Sequence, residues 1–227
     1  LNSQLSTLNQ LTGWWNGVTT GDLDEDGRLD IIATNWGLND AYQAGAEQPL
    51  RLYFGDIGGA RVVDLIETHF APELKKEVPR RTLTALSQAF PPLAAAFPTH
   101  VAFSAASATD LFRALGQQPP SVSASILATT MFLNRRTNFL AAPLPAEAQF
   151  APAFGVNIAD ADGDGHEDVF LSQNFFALRL EWPRLDGGRG LWLRGNGKGQ
   201  LDPVPGQESG VEVYGEQRGA AVGDFNQ

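Results

Sequence analysis

The chain has 227 residues, a formal net charge of −10 at pH 7 and no cysteine. The negative charge argues against nucleic acid as a partner, because no basic surface large enough to neutralise phosphates is evident. The lack of cysteine excludes disulfides, thiolate metal sites and a cysteine nucleophile. No run of about 18 apolar residues occurs, so the sequence predicts no membrane span.

The first distinctive stretch of the chain is a loop crowded with acidic residues. After a polar lead-in over residues 1–13, residues 18–20 and 31–33 have the composition of strands and lie on either side of this loop. Carboxylates stand at loop positions 1, 3, 5 and 9, with Gly27 at position 6. They belong to Asp22, Asp24, Asp26 and Asp30. The pattern predicts an acidic hairpin loop between two strands.

The same pattern returns 138 residues later. Strand-like residues 156–158 and 169–171 again flank the loop, and Gly165 stands at position 6. The four acids of this second copy are Asp160, Asp162, Asp164 and Asp168. Asp and Gly are ordinary turn residues, so two solvated acidic turns are the alternative. Because the same spacing occurs twice, we favour a functional loop.

The spacing of these acids predicts two calcium sites. Carboxylates this crowded repel one another unless a cation lies among them, and calcium takes roughly six to eight oxygen ligands. The glycine at position 6 permits a backbone reversal that turns the next carbonyl inward, from Arg28 in the first loop and His166 in the second. An EF-hand is excluded, because it needs a glutamate at position 12, where this chain has Ala33 and Leu171.

A helical insertion is predicted after the first loop. Residues 50–55 and 61–67 have strand character, so residues 1–67 are predicted to hold the lead-in and a first repeat of four strands. Residues 71–115 carry apolar side chains at three- and four-residue spacings, so residues 68–125 are predicted to be helical. The last of these helices has a capping-box sequence and a stop signal: Ser107, Asp110 and Gly116.

Strand character returns after the insertion. Residues 126–154 are predicted to hold the remaining strands of a second repeat that lacks a calcium loop, and residues 155–207 a third repeat around the second loop. Residues 208–227 are predicted to start a truncated fourth repeat, because residues 219–226 match residues 155–162. This match predicts a partial third loop with ligands at positions 1 and 3: Asp224 and Asn226.

Repeats of this size with four strands each are typical of β-propeller blades. The predicted fold is therefore mainly β, an incomplete propeller of about three repeats plus the start of a fourth, with a helical insertion. Propellers usually close with about four to eight blades. The expected partners therefore include the remainder of the propeller or other chains of an assembly. Because the chain begins with Leu1 and carries no signal peptide, we also expect a mature product or an excised fragment.

These residues resemble the FG-GAP/VCBS-type repeats of calcium-binding β-propellers, found in integrin α-subunit heads and many exported bacterial proteins. The resemblance rests on the two acidic loops, the apolar strands after them, and residues 52–55 and 132–139, which are similar to the closing strand of such repeats. Bacterial relatives that join these repeats to an ASPIC/UnbV domain are most similar. They share the helical insertion followed by a segment that here contains Leu144-Pro145 and Gln149-Phe150.

The resemblance implies calcium-rigidified scaffolding for adhesion or ligand binding, without catalysis. We therefore expect a non-catalytic module with two Ca²⁺ ions that binds protein or glycan outside the cell, in the periplasm or on a bacterial cell surface. The alternative is the propeller portion of a secreted carbohydrate-active enzyme, a lyase or hydrolase. Two carboxylates can flank a glycosidic bond, but the acids here are crowded at the spacing of metal ligands.

Overall fold

Residues 11–178 and 182–223 are described by a computed structural model of the protein. Within them the fold is mainly β, as predicted, with three four-stranded antiparallel sheets and five short α-helices. These residues divide into two compact units, one of residues 13–41, 127–178 and 182–223 and one of residues 11–12 and 42–126. None of the helices in the described ranges has the length and apolar character needed to cross a membrane.

The strands in chain order are β1 (Gly17–Gly21), β2 (Asp30–Thr34), β3 (Leu50–Gly55), β4 (Asp64–Ala71), β5 (Lys76–Pro79), β6 (Ser121–Ala124), β7 (Thr130–Asn134), β8 (Phe139–Pro143), β9 (Ala153–Ala159), β10 (Asp168–Gln173), β11 (Leu191–Gly195) and β12 (Leu201–Val204). The helices are α1 (Leu83–Ala89), α2 (Pro92–Ala96), α3 (His100–Ser104), α4 (Ala108–Leu115) and α5 (Gly206–Ser209). A short 3-10 helix covers Ala146–Gln149.

The sheet that carries the first acidic loop, here called the first-loop sheet, has the strand order β1-β2-β7-β8. β1 pairs with β2 from Gly17 opposite Thr34 to Gly21 opposite Asp30. β2 then pairs with β7, so the chain leaves this sheet after Thr34 and returns to it at Thr130. β2 is rich in isoleucine and buried along most of its length, as expected for a strand inside a sheet.

The sheet that carries the second acidic loop, the second-loop sheet, is built from the consecutive strands β9 to β12. Ala159 lies opposite Asp168 where β9 pairs with β10, just as Gly21 lies opposite Asp30 in the first-loop sheet. Both sheets belong to the same compact unit. The two loops therefore occupy the same place in two sheets of one unit.

One hydrophobic core joins the two loop sheets. Ile32 of the first-loop sheet and Val169, Leu171 and Leu193 of the second-loop sheet are fully buried in it. Burial stabilises each such side chain by about 1.5–3 kcal/mol relative to exposure. Leu23, inside the first acidic loop, belongs to the same core. This packing fixes the first loop against the sheets.

The second unit has its own sheet within residues 42–126, the insert sheet, with the order β5-β4-β3-β6. Its core joins this sheet to helices α1–α4. The rings of Tyr53 on β3 and Phe112 on α4 lie 4.4 Å apart, and Ile66 on β4 is fully buried beside them. The second unit therefore has a hydrophobic core of its own.

Helix α4 begins and ends as the sequence predicts. Ser107 Oγ accepts a hydrogen bond from the amide of Asp110 at 3.1 Å, and Asp110 Oδ2 accepts one from the amide of Ser107 at 2.9 Å. Gly116 ends the helix with a φ of +64°, which glycine adopts at little cost. The predicted capping box and stop signal are confirmed.

The strand partners differ from the sequence prediction. The sequence predicts residues 50–55 and 61–67 as outer strands of the first repeat, but β3 and β4 belong to the insert sheet. The strands predicted for a second repeat over residues 126–154, β7 and β8, instead complete the first-loop sheet. Alternation of apolar and polar residues marks a strand but does not name its partner. The local sequence therefore does not predict the pairing of β2 with β7.

The insertion is longer than predicted and is partly β. The inserted part of the second unit spans residues 42–126, whereas the prediction places a helical insertion at 68–125. Helices begin only at Leu83, because residues 71–79 form the end of β4 and all of β5. The described residues contain no separate middle repeat between the two loop sheets. The spacing of apolar residues therefore predicts the helices correctly from Leu83 onward, but it wrongly predicts helix for residues 71–79.

Candidate metal centres

Each acidic loop connects the first two strands of its sheet. The first loop, residues 22–29, joins β1 to β2, and the second, residues 160–167, joins β9 to β10. The predicted placement of each loop in a hairpin is thus confirmed. In both hairpins the acid at position 9 is the first residue of the second strand. The sheet register therefore determines where this acid lies.

Three carboxylates converge in each loop. They offer ligand atoms that all lie within 4.8 Å of one another. In the first loop these residues are Asp22, Asp24 and Asp30. In the second loop they are Asp160, Asp162 and Asp168. Carboxylates alone form each cluster, and oxygen ligands of this kind suit hard cations such as calcium and magnesium.

The carboxylate at position 1 organises the backbone of the loop. Asp22 Oδ1 accepts from the amide of Asp26 at 3.0 Å, and Asp22 Oδ2 accepts from the amide of Gly27 at 2.9 Å. The second loop has both of these hydrogen bonds. The amides of Asp164 and Gly165 donate to the Asp160 carboxylate at 3.1 and 3.0 Å. The two loops therefore share one hydrogen-bonding pattern.

Loop positions 4 and 6 have left-handed backbone in both loops. The angle φ is +81° at Gly27 and +91° at Gly165, which confirms the predicted reversal at position 6. At position 4 it is +78° at Gly163 and +55° at Glu25. A side chain in this conformation costs roughly 1–2 kcal/mol. The Glu25 carboxylate contacts Nδ1 of His166 in the second loop, which offsets part of this cost.

The carboxylate at position 9 ties each loop to the third strand of its sheet. Asp30 Oδ1 accepts from the amide of Asn134 at the end of β7, at 2.7 Å. Asp168 Oδ1 accepts from the amide of Gly195 at the end of β11, at 2.8 Å. The other oxygen of each aspartate accepts from the amide at position 2, at 3.1 and 3.0 Å: Leu23 and Ala161. Both aspartates are buried.

Burial has an electrostatic consequence for Asp30. It raises the pKa of this carboxyl above its ordinary value, although the hydrogen bond from the amide of Asn134 opposes the increase. The negative charge of Asp24 raises the pKa further. A divalent cation beside these two carboxylates would favour their ionised forms.

Asp24 supplies a second observation that favours a cation in the first cluster. Its side chain is only 9% exposed, and its Oδ1 is buried without a hydrogen-bond partner among the described residues. A buried acceptor without a partner costs about 1–3 kcal/mol, and more when it is charged. A bound cation would satisfy this oxygen. The other oxygen, Oδ2, contacts the guanidinium of Arg135 in the turn between β7 and β8. The first cluster therefore fits a cation.

Arginines reach the position-3 acid of both loops from the third strand or the turn after it. Arg135 contacts Asp24, and Arg194 Nε on β11 donates to Asp162 Oδ2 at 2.8 Å. Sequence reasoning missed both arginines because neither lies within an acidic motif. Only the pairing of the third strands brings them to the loops, and no local sequence signal indicates it.

The acids at position 5 lie outside the three-residue clusters. Asp26 contacts the guanidinium of Arg28 and also accepts from its amide at 3.0 Å, and Asp164 Oδ1 accepts from the amide of His166 at 2.9 Å. Ligand roles for these two acids, and for the carbonyl groups of Arg28 and His166, stay predictions.

The segment before the predicted third loop makes a backbone hydrogen bond to the second-loop sheet, and β9 makes a similar one to the end of the first-loop sheet. The amide of Gln217 donates to the carbonyl of Gln173, at the end of β10, at 3.1 Å. The amide of Ala153 donates to the carbonyl of Asn35, after β2, also at 3.1 Å. Two predicted ligands of the third loop lie outside the described residues: Asp224 and Asn226.

No family model, curated protein or solved structure matches this chain. The resemblance to FG-GAP/VCBS repeats therefore rests on the loop and strand residues alone.

Proposed function

We propose that this chain is a calcium-stabilised portion of an extracellular β-propeller, and that it is a non-catalytic module for binding protein or glycan. The observation that carries the proposal is the pair of three-aspartate clusters. They lie at the same place in two sheets and have matching backbone hydrogen bonds. Two copies of one arrangement favour a shared ligand over two independent acidic turns.

Calcium is the cation that this chemistry favours. Each cluster contributes three carboxylates, and calcium takes roughly six to eight oxygens in flexible geometry, with carbonyl groups and water completing the shell. The position-5 acids and position-7 carbonyl groups are the nearest further donors in the sequence. Magnesium demands a smaller, near-octahedral shell and loses its water reluctantly. Two calcium ions would change the formal charge from −10 to about −6.

The packing of successive first strands supports the assignment to a propeller. Gly17 in β1 lies so close to the carbonyl of Phe154 in β9 that a Cβ would not fit. Gly155 in β9 lies against Gly219 in the same way, with the ideal Cβ position 2.9 Å from Gly219 Cα. β1 of the first-loop sheet thus packs beside β9 of the second-loop sheet, and β9 packs beside the segment that contains Gly219, as expected for blades arranged around a propeller axis.

An open cleft in the second-loop sheet also supports this assignment. It has a volume of about 540 Å³ and is lined by Phe170 and Trp192 of the sheet and by Val222 of the segment beside β9. Val222 is 60% exposed. Apolar residues around such a cleft are expected where a further blade would pack.

Titration of the metal-free chain with calcium tests the proposed metal sites. We expect the chain to bind two ions and its melting temperature to rise, because calcium at about 100 Kd stabilises the folded state by roughly 2.7 kcal/mol per site. Magnesium is the control and should substitute poorly. Equal melting temperatures in excess chelator and in millimolar calcium would contradict the proposal.

Binding and turnover assays test the proposed interaction role. The calcium-loaded chain is applied to a glycan array and to immobilised extracellular-matrix proteins, and is incubated with the polysaccharides that bind. Calcium-dependent binding without cleavage is the expected result. Cleavage of a bound polysaccharide would instead favour the propeller portion of a carbohydrate-active enzyme.

A further inference from the structure

The turn between β11 and β12 connects the two acidic loops. At its start, the amide of Gly195 donates to Asp168 Oδ1 at 2.8 Å. At its end, the amide of Gly199 donates to the carbonyl of Leu23 in the first loop at 2.9 Å. The amide of Leu23 in turn donates to Asp30 Oδ2 at 3.1 Å. A continuous path of hydrogen bonds and backbone thus runs between the buried aspartates of the two clusters.

A direct contact between the loops lies beside this turn. The carboxylate of Glu25 at position 4 of the first loop contacts Nδ1 of His166 at position 7 of the second. Gly197 of the turn lies against both side chains, and a Cβ placed on it would overlap with them. Its φ of +64° also favours glycine. The loops therefore cannot shift relative to the turn without breaking contacts in both.

We propose that this turn couples the two metal sites, so that a calcium ion in one loop raises the affinity of the other. The proposal rests on the calcium sites proposed above. A cation that orders Asp168 also orders Gly195 and the turn, and through Gly199 it orders the backbone of the first loop. The second ion then binds a loop that is already partly ordered, which lowers the entropic cost of binding. Coupling of this kind is reciprocal.

Two single-site variants measure the coupling. Asp24→Ala removes one ligand side chain from the first cluster and Asp162→Ala removes the equivalent side chain from the second, because asparagine would keep a ligand oxygen at this position. Calcium titration of Asp24→Ala gives the association constant of the second site alone, and titration of Asp162→Ala gives that of the first. We expect the overall constant of the wild-type chain to exceed the product of these two constants by at least about 5-fold, the lower end of typical allosteric coupling.

Gly197→Ala tests whether the turn carries this coupling. A methyl group there should displace Glu25 and His166. Both sites should still bind calcium, but the overall constant should then equal the product of the single-site constants, a ratio of about 1 that means independent sites. Gly116→Ala is the matched control, because Gly116 has the same φ of +64° and none of the described atoms lies within 4 Å of the added Cβ. It should leave the wild-type ratio unchanged. Glu25→Gln tests the same contact without added volume if Gly197→Ala fails to fold.

The possible outcomes separate this inference from the proposed function. If neither loop binds calcium, the proposed function fails. If both loops bind and the overall constant equals the product of the single-site constants, the coupling is overturned while the calcium sites stand. If Gly197→Ala and Glu25→Gln both keep the wild-type ratio of the overall constant to the product of the single-site constants, the turn does not carry the coupling.

Discussion

The Asp30 carboxylate accepts a hydrogen bond from the amide of Asn134, a residue 104 positions further along the chain, at 2.7 Å. Between these residues the chain forms residues 42–126 of the second unit and then returns to the first-loop sheet. Asp168 and Gly195 make the equivalent bond at 2.8 Å across only 27 positions. The hydrogen bond between the position-9 aspartate and the third strand therefore forms both with and without an insertion between them.

This relationship predicts that the second unit is dispensable for metal binding. The amide of Gly37 donates to the carbonyl of Leu127 at 2.8 Å, so the chain leaves and re-enters the first unit at neighbouring points. Insertions at such points are generally tolerated. Replacement of residues 42–126 by a short Gly-Ser linker should leave two calcium sites with nearly unchanged affinities in a calorimetric titration. Loss of the first site would show that the insertion supports it.

The glycines at loop position 6 should be sensitive to alanine. Gly27 has open space around an added Cβ, so the cost of Gly27→Ala comes from its φ of +81° alone, roughly 1–2 kcal/mol. Gly165→Ala should cost a similar amount. Urea unfolding in calcium measures both, with Gly45→Ala as the control, since its added Cβ also meets open space and its φ lies outside the left-handed region. Equal free energies of unfolding for all three variants would contradict the loop geometry.

Arg135 should oppose calcium binding while stabilising the metal-free first loop. Its guanidinium contacts Asp24, and its Nη1 lies 3.7 Å from Asp26 Oδ2. Arg135→Gln should therefore lower the melting temperature in chelator and raise the calcium affinity of the first site. The gain should be at most about 1 kcal/mol, or roughly fivefold, because the arginine is partly exposed.

Arg136→Gln is the matched control for this substitution. It removes the same charge one residue further on, and the contact described for Arg136 is a hydrogen bond from its backbone amide to Asn134 Oδ1 at 3.0 Å. Calorimetry measures the calcium affinity of both variants, and thermal melts in chelator measure their stability without the ion. Weaker calcium binding in Arg135→Gln than in Arg136→Gln would instead mean that Arg135 positions the Asp24 carboxylate for the ion.

The capping box of α4 should make a measurable contribution to the pH dependence of stability. Hydrogen bonds from the amide and hydroxyl of Ser107, and then from Arg113, lower the pKa of Asp110 to about 2. The unfolded chain has the ordinary value near 3.9. The ionised carboxyl therefore stabilises the folded state above about pH 4, and this contribution is lost as the pH falls toward 2.

Asp110→Asn should thus be less stable than the wild-type chain at pH 7, and the difference should shrink between about pH 4 and pH 2. Urea midpoints of the two proteins over this range measure it. The acidic loops are the same in both proteins, so their contribution to stability cancels in the difference. A difference that stays constant down to pH 2 would contradict the depressed pKa.

The acidic loops and the helix cap were predictable from local sequence. In the first loop, Asp22 bonds to amides four and five residues ahead, and Gly27 adopts its left-handed backbone within the same nine residues. The cap of α4 likewise joins Ser107 to Asp110, three residues away. Such features depend on short-range sterics and hydrogen bonds. They recur wherever the same residues recur, and for this reason the second loop was predictable from the first.

Long-range packing selects the strands that complete each sheet and the residues that surround each cluster. β3 and β7 are both short apolar strands, yet β2 pairs with β7 and leaves β3 to the insert sheet. That choice depends on which faces can be buried together, a property of the whole core. The contact of Arg135 with Asp24, and the hydrogen bond from Gly199 to Leu23, follow from it. Both join residues far apart in the chain, where local sequence carries no signal.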